Sequence, residues 1–147
     1  MQKKLWRALL IVALLGAVIS AVLFWLNREQ WLADFNLERQ QQTEKYTQMG
    51  SLFAKTATQD QCLQQSFSQL GKCFAAKCTL DQAVFLKTCL AGAASSEHFC
   101  DGVPNYSKKM SEEAKKWLKD GCWNKDLNGE SCRFLLKQQS YFCSKQK

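Results

Sequence analysis

The sequence predicts an all-α protein: a single N-terminal transmembrane helix followed by a small disulfide-stapled helical-hairpin domain. Three observations carry that expectation. Residues Ala8 to Leu26 (ALLIVALLGAVISAVLFWL) form an uncharged run of nineteen. All eight cysteines, Cys62, Cys73, Cys78, Cys89, Cys100, Cys122, Cys132 and Cys143, lie downstream of it. Beyond the run, apolar residues recur at helical spacing, and no segment alternates as a half-buried strand would.

A helix needs about 20 apolar residues to cross roughly 30 Å of hydrocarbon, so nineteen suffice. Lys3, Lys4 and Arg7 precede the run, whereas the far side offers only Arg28 beside Glu29. The excess of positive charge stays in the cytoplasm, which predicts an N-in, C-out anchor. Trp6 and Trp25 sit at its two ends, where indoles favour the membrane interface. A cleaved signal peptide is the rival. Ile19-Ser20-Ala21 could be its cleavage box, but Val22 to Leu26 remain apolar, so the polar stretch such a peptide needs before cleavage is missing. No cysteine adjoins the run, which leaves a lipid-modified N-terminus without support. Gly16-x-x-x-Ser20, with Ala17 and Ala21, is a small-residue patch that suits packing of the anchor against another helix. The expected organisation is a cytoplasmic tail (1–7), a transmembrane helix (8–26), a helical stalk (27–58) and a cysteine-rich helical domain (59–147).

An even set of cysteines on one side of a membrane reads as a disulfide framework in an oxidising compartment, and a small domain with a thin core is where such bridges are needed. The expected location is therefore the inner membrane, with the C-terminal domain in the periplasm. A mitochondrial intermembrane-space protein would share that topology. The chain carries a net charge of +7, and the three basic residues before the anchor leave +4 beyond it. Lys108, Lys109, Lys115, Lys116, Lys119 and Lys125 supply that excess. They could meet anionic lipid, cell-wall polymer or an acidic protein, although lysines ordinarily stay solvated on a helix face.

Along the chain, Trp31, Phe35, Tyr46, Met49 and Phe53 are sparse apolar positions in a polar stalk expected to fray near Thr43 to Gly50. A first domain helix is expected from about Asp60 to Phe74, with Cys62, Leu63, Phe67, Leu70 and Phe74 on one face. A second starts at Thr79, where Thr79 and Gln82 read as a capping box, presents Leu80, Ala83, Val84 and Leu90, and stops at Gly92. Ala91 to Ser111 is irregular and holds Pro104. A third helix follows Ser111 with Met110, Ala114, Trp117, Leu118, Gly121 and Cys122 in phase. Asn128-Gly129 marks a turn, and a fourth helix carries Cys132, Leu135, Leu136, Phe142 and Cys143.

The pairs Cys62/Cys73, Cys78/Cys89 and Cys132/Cys143 share an eleven-residue spacing. Eleven residues are about three turns, so each pair lies on one face roughly 16 Å apart. A bridge needs Cα atoms within about 7 Å, so two cysteines on one unbroken helix cannot join each other. They can join two cysteines on an antiparallel neighbour. The tight Phe74 to Lys77 connection then sets Cys73 against Cys78 at the turn and Cys62 against Cys89 at the open end. Cys122 and Cys132 flank the Asn128-Gly129 turn, and Cys100 remains for Cys143. Eight cysteines allow 105 pairings, of which this is one. The C-x10-C, C-x10-C arrangement from Cys62 to Cys89 resembles the twin-cysteine hairpins of coiled-coil-helix-coiled-coil-helix proteins, with a shorter loop and a bacterial-looking anchor. That resemblance implies a stapled hairpin used for binding or assembly rather than catalysis. Gly102-Val103-Pro104, then Ala114-x-x-Trp117-x-x-x-x-Cys122 and Cys132-x-x-Leu135, resembles a gapped cysteine-containing Sel1-like repeat, which implies a scaffold for protein contacts.

Chemistry-bearing motifs are few. There is no C-x-x-C, and neither the single histidine, His98, nor the cysteine spacings form a zinc pattern. No metal site, cofactor or catalytic residue is expected. Ser95, Ser96, Glu97 and His98 read as a turn, since a hydrolytic triad assembles in space rather than along four consecutive residues. Glu112 and Glu113 could serve as a carboxylate pair in a small cell-wall hydrolase. Their place after Ser111 suits a helix N-terminus instead, with Glu112 set to pair with Lys116. The basic residues lack the interleaved aromatics of a single-strand binder, so nucleic acid is not an expected partner. Among Trp117, Trp123, Tyr106, Phe134 and Tyr141, Trp117 is expected in the core. Trp123 and Tyr106, with Lys115, Lys116 and Lys119, are the candidate partner-binding residues. The expected function is a non-enzymatic accessory subunit or adaptor of an envelope complex, partnering a membrane complex or a periplasmic protein. The alternative is an immunity or inhibitor protein that holds a toxin or hydrolase at the membrane.

Overall fold

The structure is a computed structural model that describes residues 2–72, 76–125, 127 and 129–146, the side chains of 2–5 and 8 excepted. The described residues form five helices and no strand: α1 (Gln2–Ala54), α2 (Gln59–Leu70), α3 (Ala76–Gly92), α4 (Glu112–Trp123) and α5 (Glu130–Ser144). The protein is all-α, as its periodicity predicts. Contacts divide it into two compact units, one up to Gln41 and one from Gln42 onward.

The first unit is the N-terminal part of α1. Its apolar side chains from Leu9 to Leu26 are all exposed, including Phe24 and Trp25. This is the only helix among the described residues long and apolar enough to cross a membrane. A helix apolar on every side suits a membrane span. Gly16 has open space around its Cα.

In the second unit, α1 runs through Thr43 to Gly50 without the fraying expected there. Its last turns belong to the cysteine-rich domain. Gly50 is buried. A Cβ placed on Gly50 would lie 2.7 Å from the Phe85 carbonyl oxygen and 3.2 Å from the Cys89 nitrogen. The absent side chain is what lets the backbones of α1 and α3 approach. Phe53 meets Phe85 beside this crossing, with ring centroids 5.7 Å apart.

Thr58 starts α2 through a full capping box. Its hydroxyl accepts from the Gln61 N–H, and the Gln61 side chain accepts from the Thr58 N–H at 2.8 Å. Short backbone bonds join the start of α2 to the end of α3, Gln59 N–H to Ala94 O (3.0 Å) and Ala94 N–H to Ala57 O (3.1 Å). The same end carries the Cys62–Cys89 bridge, with Cα atoms 5.8 Å apart, so α2 and α3 are the expected antiparallel stapled pair, although α2 ends at Leu70, capped by Gly71, rather than running on to about Phe74 as expected. Cys73 lies outside the described residues, and with it the expected Cys73–Cys78 bridge; Cys78 is disulfide-bonded.

Two expectations for α3 need correction. The helix begins at Ala76, so Thr79 is interior rather than a cap. Its hydroxyl donates to Ser131 Oγ of α5 at 2.7 Å. Leu80, expected on the apolar face, is 45% exposed. The buried side instead runs through Thr79, Gln82, Ala83, Leu86 and Leu90, because α3 is covered by both α2 and α5. Gly92 ends the helix as expected.

Helix α5 is the hub and packs against α2, α3 and α4. Leu135 and Leu136 are buried there among Leu86, Leu118 and Phe99. Ser111 caps α4 by accepting from the Ala114 N–H at 3.1 Å. Gly129 starts α5 at φ +116°, in the region that favours glycine. The Cys122–Cys132 bridge closes this connection (Cα–Cα 5.9 Å), and Cys100–Cys143 ties the 93–111 segment to the end of α5 (5.5 Å). Both match the expected pairing.

Gly50→Ala should lower stability by about 1–3 kcal/mol, because the added methyl meets backbone that cannot swing aside. Thermal unfolding of the oxidised full-length protein in detergent checks this. An unchanged midpoint would refute the close approach.

Candidate docking surface

The irregular 93–111 segment is tied to the start of α2 near Ala94 and Ser96. From Phe99 onward it is tied to α5: Gln139 Nε2 donates to Phe99 O (2.9 Å), Ser140 Oγ to Pro104 O (2.8 Å), and the Tyr106 N–H to Ser144 Oγ (2.7 Å). Phe99 is buried and meets Phe142 edge-on, with centroids 6.0 Å apart. Together with Cys100–Cys143, these contacts fix where Tyr106 stands.

Tyr106 stands against Tyr141 of α5, edge to face, with centroids 5.2 Å apart. Both rings are exposed. Lys145, one turn beyond Tyr141, places its Nζ 4.7 Å from that ring's centroid. The Lys145 ammonium lowers the Tyr141 phenol below the ordinary tyrosine value near 10, by hydrogen bonding to it first and by its charge second. Lys87 of α3 adds a weaker pull in the same direction.

A shallow hollow lies on each side of this pair. One, of about 100 Å³, has Pro104, Met110 and Trp117 in its lining, with Lys108 and Lys137 beside them. The other, of about 340 Å³ between α3 and α5, has Leu90 and Phe142 in its lining, with Lys87 and Lys145 beside them. Among the described residues, no carboxylate lines either hollow.

The structure separates the expected partner-binding residues into two groups. Trp123 is 69% exposed at the end of α4, and Lys115, Lys116 and Lys119 are exposed on the same helix. Lys115 pairs with Glu112 at 2.6 Å. Glu112 therefore takes the neighbour three residues on rather than Lys116, a correction of one helical position. Lys125 lies over the Phe67 ring at 5.3 Å. Tyr106 belongs to the other group, with Tyr141, Lys145 and Lys87. Sequence reasoning named Tyr141 but not its lysines. The spacing of Tyr141 to Lys145 was the available signal for that contact, whereas Lys87 and Tyr106 reach the site only through tertiary packing.

The other candidate chemistry is placed as follows. His98 and Asp101 pair at 2.8 Å on an exposed turn. Ser96 accepts from the Asp60 N–H at 3.2 Å. Glu112 and Glu113 lie in the first turn of α4. Trp117 is partly buried against the core, where it was expected, and Phe134 is likewise.

No family model, curated protein or solved structure matches this chain.

Two outcomes follow from this geometry. In an alkaline titration read at 295 nm, Lys145→Gln should move the Tyr141 midpoint upward, toward the ordinary tyrosine value. Removal of the ammonium takes away what favours the phenolate; Tyr141→Phe identifies the signal. Replacing Cys100 and Cys143 by Ser should cost about 2–4 kcal/mol. Amide exchange should then rise first between residues 99 and 106, as read by mass spectrometry.

Proposed function

We propose that this protein is a non-enzymatic, single-pass inner-membrane protein whose periplasmic domain acts as an accessory subunit or adaptor of an envelope complex. The observation that carries this reading is the exposed Tyr106–Tyr141 pair with its flanking lysines, held on a disulfide-braced helical domain. Tyrosines supply large contact area at low conformational cost, and a surface already fixed by bridges loses little freedom on binding.

The anchor and its charges support the placement. Lys3, Lys4 and Arg7 before the apolar helix favour an N-terminus in the cytoplasm. Bridges that persist favour an oxidising compartment beyond it. Gly16 and Ser20, one turn apart on α1, suit lateral contact with a partner's helix. The sequence spacing of Cys62, Cys73, Cys78 and Cys89 resembles that of twin-cysteine binding and assembly modules. His98, Glu112 and Glu113 have ordinary structural settings: His98 on an exposed turn, Glu112 and Glu113 at a helix N-terminus.

A photo-crosslinking residue placed at Tyr106, and separately at Trp123, in the native membranes tests the reading. A discrete adduct with an integral membrane protein is the expected result. An adduct with a soluble toxin or hydrolase would make the protein an inhibitor instead. No adduct at either position would refute docking through this domain.

A further inference from the structure

The geometry points to an acidic peptide segment of a partner protein as the occupant of the Tyr106–Tyr141 surface, with an apolar side chain seated beside its carboxylates. This rests on the docking reading above and names the chemistry that would satisfy it.

Charge selects the occupant. Lys108 and Lys137 stand at one hollow, Lys87 and Lys145 at the other, and neither hollow holds an acidic residue among the described residues. Among the described residues none of these four lysines makes an ion pair, whereas Lys115 on α4 is paired with Glu112. Unneutralised ammonium groups of one sign around a concave surface concentrate anions at it. A ligand bearing carboxylates at two points meets both hollows at once.

Shape narrows the class. Met110 and Trp117 in one hollow, and Leu90 and Phe142 in the other, offer apolar surface that a bare anion would leave uncovered. Tyr106 lines the first hollow and Tyr141 the second, and the two rings meet edge to face. A peptide can place an aliphatic or aromatic side chain in a hollow while its Asp or Glu neighbours reach the lysines. A lipid headgroup layer can neutralise the lysines, but being planar it does not fill the hollows.

The test uses the full-length oxidised protein in nanodiscs of phosphatidylcholine, panned against a display library of short random peptides. Enriched peptides are expected to carry several Asp or Glu residues around one large apolar residue. Changing Lys87, Lys108, Lys137 and Lys145 together to Gln should weaken a selected peptide by about tenfold or more, the size expected when several exposed charge pairs are lost. The same change at Lys45, Lys55, Lys72 and Lys125 removes equal charge away from the site and should leave binding within about twofold once salt screens long-range attraction. Circular dichroism and the absence of free thiol confirm that both variants fold. Four results would overturn the proposal: no enrichment, enrichment without an acidic excess, equal loss in the two variants, or four-lysine-dependent binding to phosphatidylglycerol vesicles with none to peptides. A discrete adduct at Tyr106 in native membranes alongside any of these would leave the docking reading standing and remove only the acidic partner.

Discussion

The surface described above depends on one covalent constraint, the Cys100–Cys143 bridge. Residues 93–111 contain no helix, and a segment of that kind ordinarily wanders. Here a disulfide at Cys100 and three hydrogen bonds, one just before it at Phe99 and two beyond it, hold the segment along α5. Without that attachment Tyr106 has no fixed partner, the smaller hollow loses a wall, and Phe99 loses the covalent tie that keeps it over Phe142. The bridge acts locally on the native state as well as on the unfolded chain, because it sits between the two apolar residues, Phe99 and Val103, that the segment buries in the core.

The same logic runs through the rest of the domain. Its helices are short, and its core is built largely from Leu, Phe and cysteine. Polar residues are drawn inside as well: Gln59, Ser66, Thr79, Gln139 and Ser140 are all buried. Each makes a specific bond, as when Gln59 accepts from the Ser96 N–H (3.3 Å) and Ser66 donates to Cys62 O (3.0 Å). No buried side-chain nitrogen or oxygen lacks a hydrogen-bond partner among the described residues. Satisfied polar contacts of this kind add modestly to stability but strongly penalise alternative packings, since breaking one leaves a buried group unpaired.

Much of the fold was legible because its signals are local or periodic. The eleven-residue spacing did place Cys78 and Cys89 together on α3, and Cys132 and Cys143 together on α5, where neither pair can bridge within its helix; the same reading did not hold for Cys62 and Cys73, because α2 stops at Leu70. Ser111 marks its helix start by side-chain chemistry alone. Thr79 misled for an equally physical reason: a capping pattern is also compatible with a helix interior, and here an earlier start left the hydroxyl free to reach α5. Leu80 misled because helix α3 is covered from two directions, so no single stripe describes it. The continuation of α1 through Thr43 to Gly50 follows from tertiary contact at Gly50, which weak local propensity does not reveal. The candidate site was legible only in part. Exposure of Trp123 and Tyr106 followed from their neighbours, but the meeting of Tyr106 with Tyr141 joins residues on separate elements that only packing brings together.

The connectivity of the bridges has a consequence for how the chain is made. Cys62–Cys89 closes one ring, and Cys122–Cys132 closes a second that lies inside a third, Cys100–Cys143. Synthesis proceeds from the N-terminus, so Cys100 is followed by two other thiols before its partner exists. Oxidation strictly in order of appearance would join Cys100 to Cys122 and leave Cys132 facing Cys143 across a span of helix that no bridge can cover. The native pairing therefore requires Cys100 to wait as a free thiol until α5 is complete, or to be released from a wrong partner by thiol–disulfide exchange. Maturation of the surface that carries Tyr106 is thus coupled to the completion of α5 and to thiol–disulfide exchange.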